Sequence, residues 1–390
     1  MYAFFLFLAL FCFLQGVRRK RQLISFAVAV ICFSLSILSK ETAIAAFILF
    51  PGIILVEAIK KQSISSTLSK RLALVTSGII ILLTAGYILL RLTVLNFQNT
   101  LNYYSTANVY TSSLAVRLFT FAKVIWIYFG LLIFPYPLHM ERTTTLILSF
   151  LSPFVIATIA LIGVISIFVV WEIKTKKTAY ALFGFLLCIA TLTPVSGIIP
   201  INDLLYEHWL YLPLVGFFII CFRAFELLCP PVFLKGWGRS VLFVAGIAVA
   251  GIFVILTIRQ NNIWSDPIVF YTYTLQFTES ARLQNNLGMS YVAVGDNKDA
   301  IDHYKKALAI GPSYPQIYND LGWAYLQEKQ YALAEKNLQI ALRLAPNFYV
   351  TKSNLLQLYL VTKQFQKAKE LAGKDAQMLQ IIKSVQSGQQ

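Results

Sequence analysis

Leu287 to Asp320 reads LGMSYVAVGDNKDAIDHYKKALAIGPSYPQIYND, and Leu321 to Asn354 reads LGWAYLQEKQYALAEKNLQIALRLAPNFYVTKSN. Leu287-Gly288, Tyr291, Ala300, Tyr304, Ala307 and Pro312 recur 34 residues later as Leu321-Gly322, Tyr325, Ala334, Leu338, Ala341 and Pro346. Leu355, Tyr359 and Ala368 carry the pattern into a third, decaying copy. Small residues stand where two helices of a unit would touch, large ones fill the gap, and proline ends the second helix. Such a unit buries its apolar face only by stacking on its neighbours.

This spacing is the tetratricopeptide signature. It predicts helical units at 281–314 and 315–348, a degenerate one at 349–376 and a tail at 377–390. Two and a half copies are near the minimum for stacking, so the third unit or the region before the first must cap the array. Arrays of this kind hold extended peptides along the face lined by first helices. The positions expected to face a peptide include Asn285, Asn286 and Met289, then Asn319, Asp320 and Trp323, then Ser353, Asn354 and Gln357. Side-chain amides offer both donor and acceptor to a peptide backbone, which makes Asn285, Asn286, Asn319, Asp320 and Asn354 the candidate peptide-binding set. The plain alternative is that asparagine is ordinary at these places. His303 reads as a solvated helix residue.

Upstream, the character changes. The whole chain is 58% hydrophobic and 13% charged, which excludes an ordinary soluble protein and makes 1–258 a polytopic helical membrane domain, joined to the repeats by 259–280. The formal charge of +16 divides at Arg259 into an excess of 12 before it and 4 from it onward. The basic residues lie in short clusters between apolar runs, which fits membrane lipid and the positive-inside rule and excludes nucleic acid as a partner. Cys12, Cys32, Cys188, Cys221 and Cys229 sit in or beside apolar runs with no ligand spacing, so neither disulfides nor zinc is indicated. His139, His208 and His303 are far apart in sequence and mostly lack acidic companions at metal spacing; the pair Glu207-His208 is the exception weighed, and two adjacent residues are a weak metal signal.

Taken in order, Met1 to Leu14 is apolar and precedes Arg18-Arg19-Lys20-Arg21. A cleavable signal has its charge first, so this run reads as the end of a membrane helix whose first turns are missing. Gln22 to Ile59 reads as two helices joined at Ser39-Lys40-Glu41, and Leu72 to Leu90 as the next span. Asn96 to Ser113 is polar and loop-like. Phe119 to Phe134 ends in Pro135-Tyr136-Pro137. Treated as a crossing, it would put Lys174, Lys176 and Lys177 outside; treated as re-entrant or interfacial, it returns them to the cytoplasm. The second parity is preferred. Leu146 to Trp171, Ala179 to Leu192, Trp209 to Leu228 and Val241 to Ile258 complete about eight spans, with the repeats extracytoplasmic.

Several stretches resemble a known family. Leu38-Ser39-Lys40-Glu41, Leu131 to Glu141 (LLIFPYPLHME), Leu192 to Phe217 with PVSGIIP and EHWLYLPLVGF, and the junction Trp264, Asp266-Pro267 and Asn285 to Gly288 are similar to the transmembrane and tetratricopeptide repeat-containing O-mannosyltransferases. The resemblance implies a C-type glycosyltransferase-like membrane domain in the inner membrane of a bacterium. It implies transfer of a sugar, taken to be mannose, from a polyprenyl-phosphate donor to Ser or Thr of exported proteins. His208 stands where the family usually has Arg, and Glu141 where it has Asp. The family's acidic pair, taken to be catalytic, belongs to a loop upstream of anything present here.

Such transfer needs a carboxylate to take the acceptor hydroxyl's proton and cationic or metal groups to stabilise the leaving phosphate. Glu207 and Asp203 are the candidate catalytic carboxylates, with Glu41 and Glu141 supporting. Lys40, His208 and Arg142 are the candidate phosphate-binding cations, and Arg91 a weaker one. On one helix Asp203 and Glu207 would share a face, which would suit a divalent metal or a raised carboxylate pKa. The plain alternatives are snorkelling anchors at Arg91 and Arg142, and capping or pairing roles for the rest. A non-enzymatic, membrane-anchored repeat scaffold is the alternative function. A transporter is disfavoured because no charge is expected in the middle of a span.

Overall fold

The computed structural model describes residues 1–18, 22–59, 67–93, 109–198, 205–229 and 237–388. All regular elements among them are helical, in two units, Met1–Gly246 and Ile247–Gln390.

In the first unit, helices α1 (Tyr2–Arg18) and α2 (Gln22–Ser39) are apolar on every side, as a helix must be that meets core on one face and lipid on the other. Phe13 is fully buried and sets its ring edge-on against Phe26 and Phe50 at centroid distances of 5.3 and 5.2 Å. The chain breaks at Lys40, extended at φ −161° and ψ 127°, then resumes as a 3-10 turn Glu41–Ile48 running into α3 (Leu49–Ile59). Helix α4 (Thr67–Thr93) follows, then α5 (Val109–Ser112), α6 (Leu114–Ile133), α7 (Pro153–Lys176) and α8 (Tyr180–Leu192). A 3-10 turn Thr193–Val195 and another at Glu207–Leu210 precede α9 (Pro213–Leu228).

Helices α8 and α9 touch backbone to backbone. A Cβ added to Gly184 would lie 2.7 Å from the Gly216 carbonyl oxygen, and one on Gly216 would lie 2.5 Å from that of Gly184.

Two ion-pair networks tie helix ends together at one end of this bundle. Arg18 of α1 forks onto Glu57 of α3, Nε to Oε2 at 2.9 Å and Nη2 to Oε1 at 2.7 Å. Glu172 of α7 is fully buried and receives Arg223 Nε at 2.7 Å, the Thr178 hydroxyl at 2.7 Å and the Ala181 N–H at 3.0 Å. The Arg223 guanidinium also bonds Glu226 and lies 5.3 Å from the centre of the Tyr180 ring. A buried charge persists only when paired and hydrogen-bonded, and both acids meet that condition.

Among the described residues, five helical stretches are long and apolar enough to cross a membrane: Thr42–Ile59, Thr67–Arg91, Leu114–Ile133, Pro153–Lys176 and Ser240–Trp264. Tyr2–Arg18, Leu23–Ser39 and Tyr180–Val195 are apolar but shorter. Several boundaries differ from the sequence expectation. Helix α6 begins at Leu114, not near Phe119, because Ser113 caps it through the Val116 N–H (3.4 Å) and Arg117 is absorbed by backbone carbonyls. Lys123 lies within α6; its Nζ donates to the Thr145 hydroxyl at 2.7 Å and lies over the Phe154 ring. Residues 141–149 carry no regular secondary structure, so the run expected as a span from Leu146 begins as helix only at Pro153.

The second unit takes up α10 (Trp237–Trp264) from Ile247, and α11 (Pro267–Leu275) follows with Asp266 capping the Ile268 and Val269 N–H groups. The helix pairs are α12 (Ala281–Ala293) with α13 (Asn297–Ile310), α14 (Pro315–Gln327) with α15 (Tyr331–Leu344), and α16 (Tyr349–Val361) with the short α17 (Phe365–Ala372). The repeat spacing has a direct cause. A Cβ on Gly288 would sit 2.6 Å from the Tyr304 ring, and one on Gly322 2.6 Å from Leu338 Cγ, so each glycine admits the large residue of its own second helix. Residues expected as a plain tail form α18 (Ala376–Gln386), whose Met378 and Ile382 are buried in the repeat core and close the array.

Candidate functional site

The site candidates converge at the end of the first unit opposite the two ion-pair networks, around the loop between α8 and α9. Tyr206 is extended at φ −122° and ψ 140°, and Glu207 then opens a 3-10 turn. Asp203 lies outside the described residues. The shared helix face read for Asp203 and Glu207 lies outside the described residues with it.

Glu207 Oε1 receives the His139 N–H at 3.0 Å, Arg142 Nε at 2.8 Å and Arg142 Nη2 at 2.7 Å. Arg142 Nη2 also bonds the Pro137 carbonyl. Both side chains of this pair are mostly shielded, at 16% and 19% exposed, so Arg142 is neither a snorkelling anchor nor an uncommitted cation. Burial raises the Glu207 pKa above the ordinary carboxylate value, opposed by the His139 N–H and by Arg142. An oxygen already carrying three donor contacts is a poor ligand for a cation, and among the described residues no three His, Cys, Asp or Glu side chains converge on a metal position.

His208 points the other way from its neighbour. Its ring stacks on Tyr206 at 5.2 Å and lines a recess with Lys40, Tyr2, Thr42, Thr191 and Trp209. The Lys40 ammonium lies 5.4 Å from the Tyr2 ring centre. Burial, and then the Lys40 charge, hold the His208 pKa below its ordinary value. Two residues 168 positions apart in sequence thus line one compact recess, because the end of α2 and the 3-10 turn before α9 meet there.

On the far side of the same turns runs an apolar groove between α6, α7, α8 and α9. Leu192, Thr193, Ser196 and Leu210 face the groove, whereas Thr191, Val195, His208 and Trp209 face the recess.

Other candidates are placed less tellingly. Glu41 begins the 3-10 turn after Lys40. Glu141 is buried, and its carbonyl meets His139 Nδ1 at 2.8 Å. Arg91 ends α4. Sequence reasoning missed Arg117 and Tyr128. Arg117, buried, bonds the carbonyls of Gly197, Tyr110 and Thr111, and Tyr128 donates its hydroxyl to the Tyr206 carbonyl at 2.9 Å. A lone arginine in a polar-to-apolar transition was the available signal.

In the repeats, the candidate peptide-binding residues mostly bond one another. Asn285 donates to Asp320 at 3.2 Å, Asn319 donates to Asp320 at 3.1 Å, and Asn354 and Thr351 donate to Asn319 at 2.9 and 3.1 Å. Asn285 and Asn319 are buried, Asn286 is half-buried, and burial raises the Asp320 pKa against the two amide bonds. His303 is half-buried, not simply solvated: its ring stacks on Tyr291 at 5.3 Å and meets Gln284 at 2.7 Å.

A tetratricopeptide repeat family matches residues 279–347. The chain is 27% identical over 151 residues to the human Protein O-mannosyl-transferase TMTC1, covering 38% of this chain and 17% of that protein. It is 30% identical over 210 residues to the Caenorhabditis elegans Protein O-mannosyl-transferase F38B6.6, covering 49% and 27%. It is also 29% identical over 86 residues to Photosystem I assembly protein Ycf3 of Synechococcus elongatus, covering 18% of this chain and 50% of that one. The chain therefore spans about a sixth to just over a quarter of the length of the mannosyl-transferases it resembles.

Proposed function

We propose that the chain works as part of a membrane glycosyltransferase. It would transfer a sugar, mannose by resemblance, from a polyprenyl phosphate to Ser or Thr of exported proteins held by the repeats. The observation that carries this reading is the recess lined by the Lys40 ammonium and the His208 ring, set back to back with the apolar groove on the same two turns. A lipid phosphate has that division: an anion for the recess and a hydrocarbon tail for the groove. Lys40 and His208 are the proposed phosphate ligands. Glu207 is the proposed positioning residue that holds Arg142 at the edge of the site, and Asp203 remains a candidate proton acceptor.

The two similarities to mannosyl-transferases and the tetratricopeptide match support the reading. The proposed orientation places the loop end and the array on the extracytoplasmic side of a bacterial inner membrane. Its support is the positive-inside rule, because Arg18, Lys174 and Lys176 lie on helix ends at the opposite end of the bundle. A membrane-anchored scaffold is the second reading, favoured by a family match that is confined to the repeats.

Membranes carrying the protein, supplied with polyprenyl-phosphate mannose and a Ser/Thr-rich peptide, test the first reading. Lys40→Gln combined with His208→Gln is expected to lower transfer at least tenfold. Transfer at the unaltered rate would overturn it.

A further inference from the structure

Helix α6 passes every length and hydropathy criterion for a membrane span, yet its neighbours place it differently. The direction of the surrounding helices fixes where the chain enters and leaves this region. Helix α2 ends at the recess with the end of α8 and the turn before α9. Ser34, Ile37 and Leu38 near the end of α2 face Leu83, Gly86, Tyr87 and Leu90 near the end of α4, so α4 also finishes at the loop end. At the other end, Glu172 near the end of α7 bonds Ala181 at the start of α8 and Arg223 near the end of α9. Helix α7 therefore starts at the loop end. The chain leaves α4 and enters α7 on the same side, and a single crossing between them is topologically impossible. Among the described residues of 94–152, α6 is the sole helix of spanning length, and Asn96 to Ser113 is too polar to supply a second crossing.

The contacts of α6 agree. Arg117 in its first turn bonds the Gly197 carbonyl just past the end of α8. Tyr128, farther along, bonds the Tyr206 carbonyl just before α9. These two points lie about 16 Å apart along the helix at 1.5 Å per residue, yet both meet the one loop at the bundle's end. Between them, Trp126 Nε1 bonds the Thr158 hydroxyl at 3.0 Å, one and a half turns into α7, and just past Tyr128 the Phe129 ring lies 5.6 Å from Phe217, about one turn into α9.

After Ile133 the chain returns along α6 without regular secondary structure: Arg142 is held by Glu207, the Thr145 hydroxyl meets Lys123, the Ile147 N–H bonds the Thr120 hydroxyl at 3.0 Å, and Phe150 lies against Phe119 at 5.9 Å. Leu146, Leu148, Phe150 and Leu151 are exposed along it, Leu151 at 76%. Irregular backbone facing lipid at hydrocarbon depth leaves polar groups unsatisfied and does not occur.

We infer that α6 and residues 134–152 form an arm lying in the membrane plane at the loop end, with the acyl–headgroup boundary of a phospholipid bilayer as its partner. Leucine and phenylalanine side chains enter the acyl boundary, and the Lys123 ammonium, bonded to Thr145, stays at the depth of the lipid phosphates. The arm also roofs the groove, with Leu118, Phe121, Ile125, Phe129 and Leu132 turned towards it at helical spacing.

The test reads topology, not catalysis, so it stands or falls apart from the glycosyltransferase reading. In the full chain, with the five native cysteines replaced, Leu114→Cys, Ile133→Cys and Tyr211→Cys are treated in sealed vesicles of each orientation with an impermeant maleimide. All three are expected to react from the same side; reaction of Leu114→Cys and Ile133→Cys from opposite sides overturns the inference. A nitroxide attached at Leu148→Cys gives a second reading through its relative access to oxygen and to a water-soluble paramagnet. A depth at the acyl–headgroup boundary supports the arm, and a depth at the bilayer centre refutes it.

Discussion

The membrane unit and the repeat unit solve the same problem, helix against helix, with different means. In the repeats, a glycine facing a large side chain recurs every 34 residues, as Gly288 does with Tyr304 and Gly322 with Leu338. In the membrane unit, apolar side chains have no water to escape towards neighbours, so order comes from close backbone approach at Gly184 and Gly216 and from ion pairs at helix ends. Periodic packing announces itself in a sequence. Isolated polar locks do not.

The sharpest test of this contrast is to remove one lock. Glu172→Ala leaves the Arg223 guanidinium buried without its main partner and is expected to destabilise the membrane unit by about 3–5 kcal/mol. The check is the thermal midpoint of the full chain in detergent, where the double change Glu172→Ala with Arg223→Met should recover part of the loss. Next come the glycines. Gly184→Ala drives a methyl against a backbone oxygen that cannot turn aside, and should cost about 1–3 kcal/mol. Gly322→Ala meets chiefly the Leu338 side chain, Cγ at 2.6 Å and Cδ2 at 2.9 Å, with the Leu338 backbone nitrogen farther off at 3.2 Å, and should cost less, which chemical denaturation of the two variants would show. If the order were reversed, the membrane crossing would be the looser of the two.

A smaller effect concerns the recess. His208 has a lowered pKa and is neutral at pH 7, whereas a bound phosphate favours its protonated form. Affinity for a polyprenyl phosphate should therefore rise as pH falls through the His208 pKa of the bound state, by no more than about tenfold per pH unit since one proton is involved. Lipid-phosphate binding measured between pH 5 and 8 should show this dependence (roughly the histidine range) and lose it in His208→Gln. Smallest of all, Lys329 holds φ at 59°, the place that Gly295 fills in the preceding unit. Lys329→Asn, tolerant of that backbone, should stabilise the repeats by roughly 0.5 kcal/mol in a thermal scan.

The comparison also explains what could be read from residues alone. Helices α12 to α15 begin at positions 34 apart in pairs because the glycine and large-residue pattern repeats without a gap. The capping helix α18 was hidden, since a closing helix obeys no repeat. Lys40 with His208, and Arg142 with Glu207, were legible as charged residues at helix ends, but not as two separate pairs, because pairing across 65 or more residues depends on how α2, α6 and α9 meet. The asparagines expected to face a peptide were legible in position but not in role. Asn285, Asp320, Asn319 and Asn354 bond one another across adjacent first helices, with Asn285 Oδ1 alone of these buried amide groups left without a hydrogen-bond partner. Lys123 was concealed by the apolar residues on either side of it.

The contact between Gly184 and Gly216 has a mechanical consequence. Two helices whose backbones touch cannot slide past each other, because a shift of one residue would bring Phe183 or Phe185, or Val215 or Phe217, into a gap that holds only hydrogen. They can still rock about the point of contact. Any opening of the loop that joins them must then be a pivoting motion, with the crossing as fulcrum and the two helix arms as levers.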